Sequence, residues 1–261
     1  MTSSSKPVLQ VNNLSLSFIE SDGSLEVLDD ISFSLQAHAF VSIIGPSGGG
    51  KTTLLRVLAG LEKPTSGDIA IYDHTAQTPQ PRVGMVFQKP NLMPWRTVRR
   101  NISLPLELES LPTDQVKKRV EDMIAMVDLQ GFEDSYPHEL SGGMAQRVSI
   151  ARALVYDPEI LLLDEPFGQL DALTREKMGN ELLRIWQTTQ KTILMVTHSI
   201  SEAVFLSDRV LVLTSRPARI SLDLSINLPR PRTESMRYSP QFSQLAQALR
   251  QQLDISASKN S

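Results

Sequence analysis

The chain has 261 residues, a hydrophobic share of 41% and a formal net charge of −3. That is enough apolar material for one α/β domain with an inserted or appended subdomain, and no global charge points to nucleic acid as a partner. Cysteine is absent from the sequence, which excludes disulfides and thiolate metal sites and fits a reducing compartment.

The first residues, Met1-Thr2-Ser3-Ser4-Ser5-Lys6, are polar and lack the apolar core of a secretory signal. No stretch of the sequence approaches the length of uninterrupted apolar residues that a membrane span needs. Residues 8–19 read as a strand and Val27 to Leu35 as a second, with Ser21-Asp22-Gly23-Ser24 as the turn between them. Phe18, near the end of the first strand, is either a core aromatic or a flat platform for a base.

The apolar run Phe40 to Ile44 enters Gly45-Pro46-Ser47-Gly48-Gly49-Gly50-Lys51-Thr52-Thr53 and leaves through Leu54 to Gly60. That is a strand, a glycine-rich turn and a helix. The spacing fits the phosphate-binding loop G-x-x-x-x-G-K-[ST]. Glycines let the backbone curl until successive N–H groups face one point, and a helix N-terminus there favours an anion. Lys51 would reach the β- and γ-phosphates of a nucleotide, and the Thr52 hydroxyl would ligate Mg²⁺.

Lys63 to Gly67 reads as a turn, Asp68 to Tyr72 as a short strand and Asp73 to Pro81 as a polar loop. Val83 to Phe87 is a buried strand ending at Gln88, where α/β sheets bind ligands. From Lys89 to Leu108 the chain is broken by Pro90, Pro94 and Pro105. There Leu92-Met93-Pro94-Trp95 sets apolar side chains in a loop, for buried packing or for docking a partner. Thr113 to Leu129 is an amphipathic helix with Thr113 as its cap, Val116, Val120, Met123, Ile124 and Val127 on one face, and Gly131 ending it.

Leu140-Ser141-Gly142-Gly143-Met144 opens a helix that runs to Leu154. Ser141 caps it, and two glycines leave its N-terminus clear for a second anion. Ile160 to Leu163 suits a buried parallel strand ending in Asp164-Glu165. Beside a phosphate loop, the first carboxylate is a Mg²⁺ partner and the second orients or deprotonates a water. Gly168 to Asp171 makes a turn, Thr174 to Gln190 a helix, and Thr192 to Val196 a strand ending at Thr197-His198. Ser201 to Ser207 is a short helix, and Arg209 to Leu213 and Arg219 to Leu224 are strands. The Pro- and Arg-rich tail from Leu228 ends in a helix, Gln241 to Leu253, with Phe242, Leu245, Leu249 and Leu253 on one face. Ser256 to Ser261 are expected to be disordered.

The phosphate loop, Gln88, Leu140 to Met144, Asp164-Glu165 and His198 follow in one order at sensible spacings. Over about residues 8–225 they resemble the ATPase subunit of ATP-binding cassette (ABC) transporters. The resemblance implies an α/β fold: a P-loop NTPase core with an antiparallel β subdomain and an inserted α-helical subdomain. It places the cassette at 8–230, the helical insertion at about 89–155, and a C-terminal tail with one helix at 231–261.

The same resemblance implies roles. Phe18 stacks on adenine. Gly45, Pro46, Ser47, Gly48, Gly49, Gly50, Lys51, Thr52 and Thr53 hold the phosphates. Ser141, Gly142 and Gly143 act on the ATP of the other protomer in a head-to-tail homodimer. Gln88 lies near Mg²⁺ and the attacking water, and Asp164 holds Mg²⁺ through water. Glu165 is the catalytic carboxylate, and His198 touches the γ-phosphate. ATP and Mg²⁺ are the implied cofactors.

Residues 89–108 lie where this family receives its transmembrane permease, placing the subunit on the cytoplasmic face of the membrane. A periplasmic or extracellular solute-binding protein takes part indirectly, and nucleic acid does not. Met144, Leu92 to Trp95, and Ser215 to Ile220 with Leu228 to Arg232 look like the nitrate, sulfonate and taurine importer branch. An importer ATPase for a thiamine-precursor pyrimidine or another small molecule, and a soluble non-transport cassette protein, are the alternatives. Gln169 departs from the small residue this family usually places before Leu-Asp.

Overall fold

A computed structural model describes residues 7–20, 23–72 and 82–258. In chain order they form β1 (Leu9–Glu20), β2 (Gly23–Leu35), β3 (Phe40–Ile44), α1 (Lys51–Leu58), β4 (Ser66–Ile71), β5 (Val83–Val86), α2 (Val98–Ser103), α3 (Thr113–Met126), α4 (Gly142–Leu154), β6 (Ile160–Asp164), α5 (Ala172–Thr189), β7 (Thr192–Val196), α6 (Ile200–Leu206), β8 (Arg209–Leu213), β9 (Ile220–Ser225) and α7 (Pro240–Ser258). Single 3-10 turns span Leu104–Leu108, Pro137–Glu139 and Glu234–Tyr238. The chain divides into two compact units, residues 1–81 with 192–261, and residues 82–191. The loop expected at Asp73 to Pro81 lies outside the described residues.

In the first unit, β3 runs parallel to β7 on one side and β8 on the other, and β9 returns antiparallel to β8. Every residue of β3 and β7 is buried. Their largely apolar sequences, interrupted by Ser42 in β3 and Thr192 at the start of β7, suit strands covered on both faces. The second sheet is antiparallel, in the order β2-β1-β4. Leu9, Val11, Leu14 and Leu16 turn inward, and the alternation slips at Asn13. Asn13 and Asp30 both take positive φ, 49° and 53°, and Asn13 Nδ2 donates to Asp30 Oδ1 at 2.7 Å. Gly67, at φ 88°, passes so close that a Cβ on it would lie 2.4 Å from the Asn13 carbonyl oxygen. β2 starts earlier than its apolar pattern suggests. Gly23 and Ser24, expected in the turn, pair with Glu20 and Ile19 instead. An antiparallel ladder tolerates solvated positions, so polarity alone does not end a strand.

The tail packs onto this unit. α7 lies against α6, β8 and β9. It runs to Ser258, and Ser256 is 3% exposed, which corrects the expectation of disorder for 256–258; residues 259–261 lie outside the described residues. The reason is a polar contact that periodicity does not register: Ser215 Oγ donates to the Ser256 carbonyl at 3.3 Å. Upstream, Arg232 donates to the carbonyls of Val204 (2.7 Å), Phe205 (3.0 Å) and Ser207 (2.9 Å), the acceptors left over at the end of α6. Burial pulls the Arg232 guanidinium down to about 10, and neighbouring Arg230 pushes the same way. Arg232→Ala removes donors from three carbonyls at once. We expect a loss of about 3 kcal/mol in urea unfolding, since bonds to a charged donor contribute about 1.5–3 kcal/mol each but share one side chain.

In the second unit β5 and β6 form a parallel pair, with Val86 opposite Leu163. α2, within the stretch expected to be irregular, was illegible because six residues carry no period. Its support is local. The Thr97 side chain accepts from Arg100 N, and buried Asn101 accepts from Met93 N at 2.8 Å while donating to Arg96 O and Thr97 O. α3 differs from expectation at both ends. Pro112 is its N-cap without a side-chain bond, so Thr113 is the first helical residue, and Val127 rather than Gly131 closes it. Glu181 on α5 is 7% exposed and meets Arg147 of α4 at 2.6 Å. Burial pushes its carboxyl up while Arg147 pulls it down.

Candidate active site

In the first unit, β3 delivers the chain to Gly45 and β7 delivers it to Thr197. Ile43 sits opposite Val196, so the loop and His198 leave neighbouring strand ends. Lys51 is 6% exposed, and its Nζ donates to the carbonyls of Gly45 (3.0 Å) and Pro46 (2.8 Å). The ammonium therefore sits within the curl of the loop. Gly50 is the N-cap of α1 at φ 86°, and no side chain bonds there. A Cβ on Gly50 would press Val27 and Leu28 at 3.0–3.1 Å, so the loop needs glycine for both conformation and space. The first turn of α1 presents its N–H groups to the loop, with Thr52 exposed beside them.

The backbone after His198 is fixed by a small network. Thr197 Oγ1 donates to Glu202 Oε2 at 2.6 Å, Ser199 N donates to Thr197 Oγ1 at 3.0 Å, and Glu202 N donates to Ser199 Oγ at 3.3 Å. Ser199-x-x-Glu202 is a capping-box spacing and was legible. His198 itself is exposed. Phe18 is 37% exposed opposite Leu25 on β1, which removes the reading as a core aromatic.

In the second unit, β5 ends just before Phe87-Gln88, and β6 ends at Asp164 with Glu165 next. Gln88 Nε2 donates to Glu165 Oε2 at 3.4 Å. Asp164 is 6% exposed, while Glu165 is half-buried at φ 43°, a left-handed conformation that costs any residue with a side chain free energy. Gly168 leaves room for this pair, since a Cβ on it would lie 3.3 Å from Gln88 Nε2 and 3.4 Å from Glu165 Oε2.

Ser141 caps α4 by accepting from Met144 N at 3.3 Å. Ser141 and Gly142 are exposed, and Gly143 is buried against α5, where a Cβ would meet Thr174 Cγ2 at 3.1 Å. Asp171 caps α5, accepting from Thr174 N at 3.0 Å, and its hydrogen bonds from Thr174 hold its carboxyl below the usual range. The cap moves the start of α5 to Ala172, two residues before the expected Thr174. Gln169, in the turn before that cap, is exposed. Gln169→Ala is expected to leave ATP affinity within about tenfold of wild type, since replacing an exposed side chain ordinarily changes little. Equilibrium titration with a fluorescent ATP analogue measures it.

A family model described as ABC transporter matches residues 28–168. The chain belongs to the ABC transporter family. It is similar to the ABC transporter ATP-binding protein MJ0412 of Methanocaldococcus jannaschii, at 50% identity over 87% of this chain and 85% of that one. It is 42% identical to the aliphatic sulfonates import ATP-binding protein SsuB of Bacillus cereus, over 94% of this chain and 96% of the relative. It is 43% identical to the nitrate import ATP-binding protein NrtD of a Synechocystis species, over 90% of each. Among solved structures, the dimeric ABC transporter cassette MJ0796 superposes with a TM-score of 0.73 at 31% identity, covering 85% of this chain and all of that one. The same cassette has also been solved bound to ADP and phosphate after hydrolysis. The chain is accordingly an ABC-type ATPase with the P-loop cassette fold. Oxygen donors suit Mg²⁺, and Thr52, Asp164 and the Gln88 amide are such donors.

Proposed function

We propose that this chain is the ATP-hydrolysing subunit of a membrane ABC importer whose cargo is a nitrate, a sulfonate or taurine. The observation that carries the proposal is the match of nearly the whole chain to named sulfonate and nitrate import subunits at 42–43% identity. Transport is this chain's only through a partner, because among the described residues no helix is long and apolar enough to cross a membrane.

The cassette spans 8–230, with the helical insertion at about 89–155 and the tail at 231–261. Lys51 and the N–H groups of 45–53 bind the β- and γ-phosphates. Thr52, Gln88 and Asp164 hold Mg²⁺, which when bound screens the phosphate charge. Glu165 orients and takes a proton from the attacking water, Gln88 steers Glu165, and His198 holds the γ-phosphate. Phe18 supports adenine. Two copies pair head to tail, as the similar MJ0796 cassette does as a dimer, and Ser141, Gly142 and Gly143 of each act on the other's ATP. Closure excludes water, and hydrolysis releases the halves. Residues 89–108 face the permease on the cytoplasmic side, with Trp95 70% exposed as a docking side chain. A solute-binding protein delivers the cargo on the far side.

The test is uptake of nitrate and of an alkyl sulfonate in cells carrying wild type or Glu165→Gln. Loss of one uptake identifies the cargo. Unchanged uptake of both leaves either another small molecule, such as a thiamine-precursor pyrimidine, or no transport role, and co-purification of a membrane subunit decides between them.

A further inference from the structure

Arg216 touches two features of the first unit. It lies in the loop between β8 and β9. A Cβ on Gly48 of the phosphate loop would come 3.7 Å from Arg216 Nη2, so the guanidinium rests against that loop. The backbone beside it is closer still. Thr214 O would lie 3.1 Å from a Cβ on Gly49, and Leu213 O 3.0 Å from one on Gly45. The other face of the same segment forms one wall of a cleft of about 270 Å³. The opposite wall is the C-terminal part of α7, with Gln252, Ile255 and Ser256. One short segment thus separates the cleft from the phosphate loop.

The cleft has a definite chemistry. Arg216 is the charged group among its described lining residues, Ser221, Gln252 and Ser256 supply hydrogen-bonding groups, and Pro217 and Ile255 supply apolar surface. The polar contacts that bring α7 to this wall are long: 3.3 Å from Ser215 Oγ to Ser256 O, 3.3 Å between the Ser221 and Ser256 hydroxyls, and 3.4 Å from Gln252 Nε2 to Ser221 O. Contacts at that length are weak and yield to a better-placed partner. The volume lies just below the lower end of ligand pockets. A guanidinium swung to a wall that carries hydroxyl and apolar groups pairs well with a sulfonate or carboxylate on a short carbon chain.

We propose that this cleft binds a compact organic anion, and that its occupancy draws Arg216 away from the phosphate loop. Against Gly48, the guanidinium adds positive potential where the ATP phosphates bind. Paired with an anion in the cleft, it no longer does. The anion therefore weakens ATP binding and leaves turnover at saturation unchanged. Linkage requires ATP to weaken the anion by the same factor. The ligand class overlaps the proposed cargo, but the inference stands whatever is transported.

The experiment uses the full chain, with ethanesulfonate as probe and sodium chloride at matched ionic strength as control. Calorimetry should show saturable binding, and the KM for ATP should rise about fivefold with kcat constant. Chloride should do neither. Arg216→Gln should abolish both responses and start with the raised KM. Gln252→Trp, which fills the cleft from the side of α7 and keeps Arg216, should also abolish both responses. Absence of saturable heat at about 10 mM probe overturns the proposal. So does binding with KM unmoved, or a KM response that survives in Arg216→Gln. Calorimetry does not depend on transport, so ethanesulfonate binding in a chain that imports neither nitrate nor sulfonate counts against the proposed cargo alone.

Discussion

Glu165→Gln should bind ATP as wild type does and hydrolyse it about a thousandfold more slowly, the scale set by removing a positioned general base. The substitution keeps shape and removes only basicity. Glu165 takes φ 43°, with Gln88 Nε2 3.4 Å from its Oε2. A glutamine fits the same backbone and can still meet Gln88. The loss should therefore fall on kcat, with ATP affinity preserved. Phosphate release in single and multiple turnovers, set beside nucleotide titration, separates the two. Because hydrolysis is proposed to part the protomers, the variant should also accumulate as a dimer in MgATP on size exclusion. Wild-type turnover in Glu165→Gln would move the base to another residue.

Lys51→Ala should fail one step earlier, at the nucleotide. The Lys51 ammonium sits among the carbonyls of Gly45 and Pro46, 6% exposed, and it is the cation of the loop. Removing it takes a charge-assisted contact from the β- and γ-phosphates, so we expect ATP affinity to fall about tenfold to a hundredfold and turnover about a thousandfold. Fold stability should fall by about 1–3 kcal/mol as well, because the carbonyls of Gly45 and Pro46 lose a charged donor. Circular dichroism melting guards that point. Hydrolysis near wild type in Lys51→Ala would contradict the phosphate-loop assignment.

Some of this was legible before any coordinates because chemistry and geometry share a sequence signal. Phe40 to Ile44 and Ile160 to Leu163 are buried apolar runs that must be strands, and the residues just after them must emerge at a sheet edge. That reasoning puts the glycine-rich loop, Asp164 and Glu165 at strand ends, which is where they lie. Ser141 was legible as a cap because its helix is long enough to need one. The contacts within each unit were not. Nothing in the spacing of Gln88 and Glu165 announces that they meet, and nothing around Gly168 announces that its missing side chain makes room for them. Short elements also escaped, since α2 depends on the Asn101 amide rather than on a hydrophobic period. The buried end of α7 depends on hydroxyls that composition marks as disordered.

A shortened cassette ending at Ser225 would lose more than a tail. Arg230 donates to the Leu206 carbonyl and pairs with Asp208, Arg232 fills the end of α6, and Arg237 lies 3.8 Å over the Phe205 ring while donating to Ser201 Oγ. α6 begins two residues after His198. The helix that seats the histidine loop is therefore clamped by arginines from a segment that a cassette boundary drawn by motif would discard. Chimaeras that exchange tails between relatives should be joined beyond residue 238, or they will exchange the stiffness of the histidine loop along with the tail.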